Sequence, residues 1–172
     1  GRINDSDNVL VVIIRNFRWY TTIGLHGDVS LRLVDQVLDK NWEFIQGPGG
    51  ERHGLHEGSP SGDWKEAGGD EITGPVWLAT EFRYTLPEKW IAPPGLLLRG
   101  WNAKITIFLN GVHIGRYHPE GPQERFYLPE DCLHETNRLV LFCNAFGKPV
   151  TIGSAEIAPY YMAKEGMLEI RF

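Results

Sequence analysis

Hydrophobic and polar positions alternate with a period of two along most of this chain. The clearest run places Ala103, Ile105, Ile107 and Leu109 on one side and Lys104, Thr106, Phe108 and Asn110 on the other, the pattern of a strand with one buried face. It ends at Asn110-Gly111, a dipeptide in which both residues tolerate positive φ, so the pattern predicts a tight hairpin into Val112 to Tyr117. The strands of this hairpin are expected at Lys104 to Leu109 and Val112 to Tyr117, and similar β-rich runs occur at Val9 to Arg15, Val29 to Val37, Asn41 to Gln46, Val76 to Thr85, Gly95 to Arg99, Arg125 to Leu128, Arg138 to Asn144, Val150 to Ile157 and Met167 to Phe172. Turn chemistry such as Pro48-Gly49-Gly50, Pro93-Pro94-Gly95 and Gly121-Pro122 separates most of them. No long amphipathic helix is evident. Leu128 to Leu133 predicts one helical turn, with Pro129 early in the turn and acidic residues beside it. Short strands punctuated in this way predict an all-β sandwich rather than parallel β-α-β units.

With 172 residues the chain is long enough for one domain with a full core, and 42% hydrophobic content excludes a disordered polymer. A single sandwich over 1–172 is expected. The net charge is −5 and Lys and Arg form no long cluster, which argues against a nucleic-acid partner. No apolar run approaches the roughly 20 residues that span a bilayer, so no membrane association is expected. The chain starts at Gly1 and enters a strand pattern within its first residues, the expectation for a fragment of a larger multidomain protein. Cys132 and Cys143 lack metal-ligand spacing and are read as two buried or half-buried thiols, with a single bridge as the alternative.

Candidate chemistry concentrates in Gly47 to Pro75, the longest stretch without a strand pattern, since loops beyond about 12–15 residues are usually functional or disordered. His53 and His56, flanked by Glu51 and Glu57, lack the further ordered ligands of a zinc site. Asp70 and Glu71 are the residues considered for a structural calcium, and no cofactor is otherwise expected. Ser59 or Ser61 with His56 and Asp63 lacks a nucleophile elbow. The carboxylates are scattered over loops, with nothing to mark a pair held about 5–9 Å apart across a sugar, so the chain is not expected to be an enzyme by itself. Sugar recognition asks instead for a flat aromatic and a few polar groups. Trp42, Trp77 and Trp101 fall in or beside strands and are expected in the core. Trp64, between Asp63 and Lys65, is the expected stacking residue, and His53, His56, Asp63 and Glu66 complete the expected carbohydrate-binding set.

The order of motifs carries a further reading. Leu109 to Tyr117 is followed by Gly121-Pro122-Gln123, then Phe126-Tyr127-Leu128-Pro129, then Asn137 leading the strand Arg138 to Asn144. This order resembles the jelly-roll, galactose-binding-like β-sandwich domains that accompany the catalytic barrel of large β-galactosidases of glycoside hydrolase family thirty-five. The resemblance covers roughly Pro94 to Ile157, with Trp77 to Pro87 resembling the preceding strand, and is looser upstream. It implies a noncatalytic accessory module whose partners are carbohydrate, the catalytic domain of a parent enzyme, or both. It also implies that Arg116, Tyr117, His118 and Gln123 mainly brace the hairpin and its exit. The alternative is a protein-interaction or oligomerisation sandwich with an apolar patch built from Trp19, Tyr20, Tyr160, Tyr161 and Met162.

Overall fold

A computed structural model describes residues 34, 36–57, 63–67, 71–85, 90–91, 93–160 and 163–164. The chain divides into two compact units, Gly1–Leu31 and Arg32–Phe172, and every described residue lies in the second. The expected strands Val9 to Arg15 and Met167 to Phe172, and most of Val29 to Val37, fall outside the described residues.

Within the second unit, twelve strands run in chain order: β1 (Gln36–Val37), β2 (Glu43–Gln46), β3 (Lys65–Glu66), β4 (Val76–Arg83), β5 (Trp90–Ile91), β6 (Pro94–Arg99), β7 (Lys104–Leu109), β8 (Val112–Tyr117), β9 (Arg125–Tyr127), β10 (Thr136–Asn144), β11 (Ser154–Pro159) and β12 (Ala163–Lys164). One antiparallel sheet has the order β1-β11-β6-β9, a second β3-β2-β4-β10-β7-β8, and β5 pairs with β12. The non-sequential order of both main sheets is that of a β-sandwich.

Alternation decides the core. Leu78 and Phe82 of β4, Ile105, Ile107 and Leu109 of β7, and Leu139, Leu141 and Cys143 of β10 meet Leu96, Leu98, Phe126, Ala155 and Ile157 of the smaller sheet in one buried cluster. Each large side chain buried there contributes about 1.5–3 kcal/mol relative to exposure. Trp42 and Trp101 join this core as expected, their rings edge-to-face with centroids 6.0 Å apart. Their indole N–H groups donate to the Leu38 and Ser154 carbonyls at 3.0 and 2.9 Å, so neither leaves a buried donor unpaired.

The predicted hairpin forms as β7 and β8, and its turn residues Asn110 and Gly111 have φ of 48° and 86°. Ile107 pairs with Gly115 but Phe108 with His113, so Ile114 is the extra residue of a bulge that twists this edge strand. The predicted helical turn is the 3-10 turn Glu130–Cys132, directly after Pro129. Several boundaries shift by one or two residues, and the largest difference among the described residues is at the start of β11. The strand expected from Val150 begins at Ser154, because Pro149 to Thr151 are held elsewhere: Val150 donates to the Ile72 carbonyl, and Asn102 clasps Pro149 and Thr151.

Both cysteines are free thiols. Burial holds the Cys143 thiol well above its ordinary pKa. Cys132 is raised by burial and then by the Asp131 carboxylate. Because the thiolate is the reactive form, the native protein should label at Cys132 alone, and slowly, whereas denaturation should release both. Fewer than two thiols titrating in denaturant without reductant would show a bridge instead.

Candidate functional site

The outward face of the larger sheet is not the polar surface that alternation implies. Trp77 and Ala79 of β4, Phe108 of β7 and Val140 of β10 are buried there, and Ile45 and Phe142 pack against them. The Trp77 ring lies 4.6 Å from Phe142 and stacks on Phe108 at 6.0 Å. What covers them is the long loop, which is not structureless. Its ends are joined by the Gly47 N–H to the Pro75 carbonyl at 2.8 Å, and it holds 3-10 turns at Gly50–His53 and Leu55–Glu57. Leu55 and Trp64 pack on the outer cluster. At Gly50 a Cβ would overlap the Trp77 indole and the Leu55 Cδ1, so only glycine lets the loop lie this close. The end of the second 3-10 turn meets the hairpin tip, where a Cβ on Gly111 would stand 3.4 Å from Glu57 Cα.

Beyond this wall the sheet face is open along β7 and β8. A depression of about 570 Å³ is lined by Glu51, His56, Thr106, Phe108, Gly111, His113 and Arg116. A second, of about 290 Å³, includes Lys104, Arg116, His118, Phe142, Asn144 and Phe146 in its lining. The two share Thr106 and Arg116, which are directly opposite in the β7–β8 register, and so form one groove.

Phe146 is the most exposed of the described large hydrophobic residues, at 65%. Its φ of 53° is costly for a residue with a bulky side chain, and the conformation is held by its N–H donating to Asn144 Oδ1 at 2.9 Å. The Lys104 ammonium stands 4.9 Å from the ring centroid. At the other end the His56 ring lies 5.5 Å from Phe108, and His113 lies 5.7 Å from it. His56 Nδ1 is buried and makes no hydrogen bond, while Nε2 is 3.8 Å from the Glu57 carboxylate. Tyr117 points inward and donates to the Trp101 carbonyl at 3.4 Å. Burial and then the Glu124 charge raise its pKa, against a smaller lowering by that hydrogen bond, so the phenol stays neutral near neutral pH.

A third depression, of about 240 Å³, lies over Asn41, Glu43, Thr80, Glu81 and Arg138. Arg138 pairs with Glu43 at 3.2 Å and Glu81 at 3.3 Å, and its guanidinium lies 5.3 Å from the Trp64 ring centroid. Both carboxylates are therefore engaged by one cation rather than facing each other across an open space.

Of the residues expected to contact sugar, His56 lines the groove. Trp64 is half-buried between the outer cluster and Arg138, with its Nε1 buried and without a hydrogen bond. His53 and Asp63 are exposed on the loop, and Glu66 is exposed on β3, opposite Glu43. Of the bracing residues, Tyr117 is buried, His118 Nδ1 accepts the Glu120 N–H, and Arg116 lies in the groove. Lys104, Thr106, His113, Asn144 and Phe146 were not singled out by sequence. Alternation already put Lys104 and Thr106 outward; the Phe146-Gly147 pair was the overlooked sign of a turn presenting an aromatic. Among the described residues no group of three or more His, Cys, Asp or Glu is placed to hold a metal. Asp70, Ser59 and Ser61 lie outside the described residues.

Comparison with known proteins bears on the architecture. Residues 75–137 match the family model of the beta-galactosidase galactose-binding domain. No curated protein matches the sequence. Among solved structures, a Ruminococcus gnavus β-glucuronidase in complex with a C6-substituted uronic isofagomine is similar at 18% identity and a TM-score of 0.57, covering 77% of this chain and 30% of that one. A Lactobacillus rhamnosus β-glucuronidase is similar at 18% identity and a TM-score of 0.57, covering 78% of this chain and 30% of its own. The chain thus spans 30% of the length of these structures. The fold is a galactose-binding-like β-sandwich, and the matched family is a binding domain rather than a catalytic one.

Proposed function

We propose that this sandwich is a noncatalytic module of a β-galactosidase-like glycoside hydrolase and that it binds carbohydrate in the groove along β7 and β8. The observation that carries the reading is Phe146, an apolar ring held exposed in an unfavourable backbone conformation at the groove's rim. A flat ring beside Arg116, Asn144 and Thr106, with His56 at the other end of the groove, supplies what a pyranose requires, an apolar plate and planar or hydroxyl groups for its hydroxyls. In this reading Trp64 serves the loop that walls the groove, and His53, Asp63 and Glu66 are exposed residues of that segment.

Calorimetric titration with galactose, lactose and β-galactan tests it. Saturable binding is expected, and Phe146→Ala should weaken it about tenfold, equivalent to about 1.4 kcal/mol, while leaving the unfolding midpoint nearly unchanged because the ring is exposed. No binding by the wild type would reject the reading. A second role rests on a separate observation: Tyr127 and Tyr160 are exposed and edge-to-face at 5.6 Å, with Arg125 over Tyr160. This aromatic surface suits packing against the catalytic domain of a parent enzyme. Of the apolar patch expected from sequence, Tyr160 alone lies among the described residues.

A further inference from the structure

We infer that the groove selects an anionic saccharide, one carrying its charge as a uronate carboxylate or a sulfate ester, seated between Lys104 and Arg116. The inference rests on the carbohydrate reading and specifies its ligand.

The chain as a whole carries a net charge of −5, yet the Phe146 half of the groove is lined by cations, and Glu51 stands in the other half. The depression around Phe146 contains Lys104, Arg116 and His118 and no carboxylate. Elsewhere Arg99 pairs with Glu124 and Arg138 with Glu43 and Glu81, while Arg52, Arg83 and Arg125 make no ion pair among the described residues and lie outside the groove. Among the described residues neither Lys104 nor Arg116 pairs with a carboxylate; Lys104 meets only the Phe146 ring. Both side chains are exposed, so the pair carries no core function that would explain it.

The sheet register sets their spacing. Arg116 is opposite Thr106, and Lys104 lies two residues along the same face of β7. Diagonal neighbours of this kind stand about 7–8 Å apart, close enough for one carboxylate or sulfate to reach both cations. Asn144 is opposite Lys104 in the β10 pairing and adds an amide to the same row. An arginine fork binds a planar carboxylate through two parallel hydrogen bonds, and the lysine adds a point charge. A neutral galactoside would leave both cations uncompensated and gain only from Phe146 and the neutral polar groups.

The test compares digalacturonate, galactose 6-sulfate, neutral galactobiose and inorganic sulfate by calorimetry on the same chain at low salt. At least one acidic saccharide should bind tenfold or more tightly than galactobiose, and its affinity should fall as salt is raised. Arg116→Gln and Lys104→Met should each remove most of that preference, weakening the acidic saccharide far more than galactobiose. Phe146→Ala should weaken both saccharides alike. Circular dichroism and unfolding midpoints verify that each variant is folded. Equal affinity for acidic and neutral sugars would overturn the inference and leave the carbohydrate reading standing. Inorganic sulfate binding as tightly as the acidic sugars would also overturn it, because the sugar would then contribute nothing. Binding of none of the saccharides would reject both.

Discussion

Trp77→Ala should lower the stability of this sandwich by about 3–5 kcal/mol, the range for removing a large aromatic side chain from a packed site. Trp77 is 1% exposed although it points away from the main core. Its ring is packed against Phe108 and Phe142, and Gly50 lies against its edge. Truncation would open a cavity and would remove the surface on which Leu55 and the loop's first 3-10 turn rest. The loss should therefore appear twice. The urea midpoint should fall, and limited proteolysis should cut within 47–67 well before the rest of the chain. Because that loop walls the groove at Glu51 and His56, saccharide affinity should fall as well. Gly50→Ala should reproduce the proteolytic sensitivity with a smaller change in midpoint, since its Cβ would push the loop off Trp77 while leaving the inter-sheet core intact. A Trp77→Ala midpoint corresponding to less than about 1 kcal/mol would mean that the loop is not stably docked on the sheet.

Asn137→Ala should cost about 2–4 kcal/mol, from hydrogen bonds worth about 1 kcal/mol each and from partners left poorly satisfied. Asn137 has no exposed surface. Its Oδ1 accepts the His134 N–H at 2.8 Å and an Asn110 Nδ2 hydrogen at 3.0 Å, and its Nδ2 donates to the His134 carbonyl at 2.7 Å. Asn110 extends the network, donating to the Cys132 carbonyl at 2.7 Å and accepting the Arg138 N–H at 2.8 Å. One buried amide thus ties the hairpin turn to the start of β10. Asn137→Asp should also destabilise, because it replaces the donor and buries a charge. Chemical denaturation of both variants measures this. A change below about 1 kcal/mol for Asn137→Ala would show that the turn chemistry of Asn110-Gly111 alone sets the hairpin.

Much of the architecture is readable in the sequence. The β7 and β8 boundaries coincide with the predicted runs, and the inward set Ile105, Ile107 and Leu109 is the set that alternation assigns. The Asn110-Gly111 turn has the positive φ values its residues invite. These features are local: strand periodicity and turn preference act over a few neighbouring residues, so they leave a mark in the string itself. Trp42 and Trp101, in or beside strands, lie in the inter-sheet core as expected, whereas Trp77 is buried on the outward face beneath the loop.

The candidate site was not legible in this way. Alternation says that Trp77, Phe108 and Phe142 point outward, but it cannot say whether an outward residue meets water or another part of the chain. Here the loop returns onto them, and that single long-range contact turns Trp64 from a free stacking surface into a half-buried residue beside Arg138. The juxtapositions of Lys104 with Phe146 and of His56 with Phe108 likewise join residues distant in sequence. Periodicity and turn chemistry by themselves determined a sandwich, its inward faces and its hairpin, because those depend on short-range sterics. Which outward face is covered, and where a groove remains, was decided by the tertiary structure, because it depends on how the loop and the edge strands pack together.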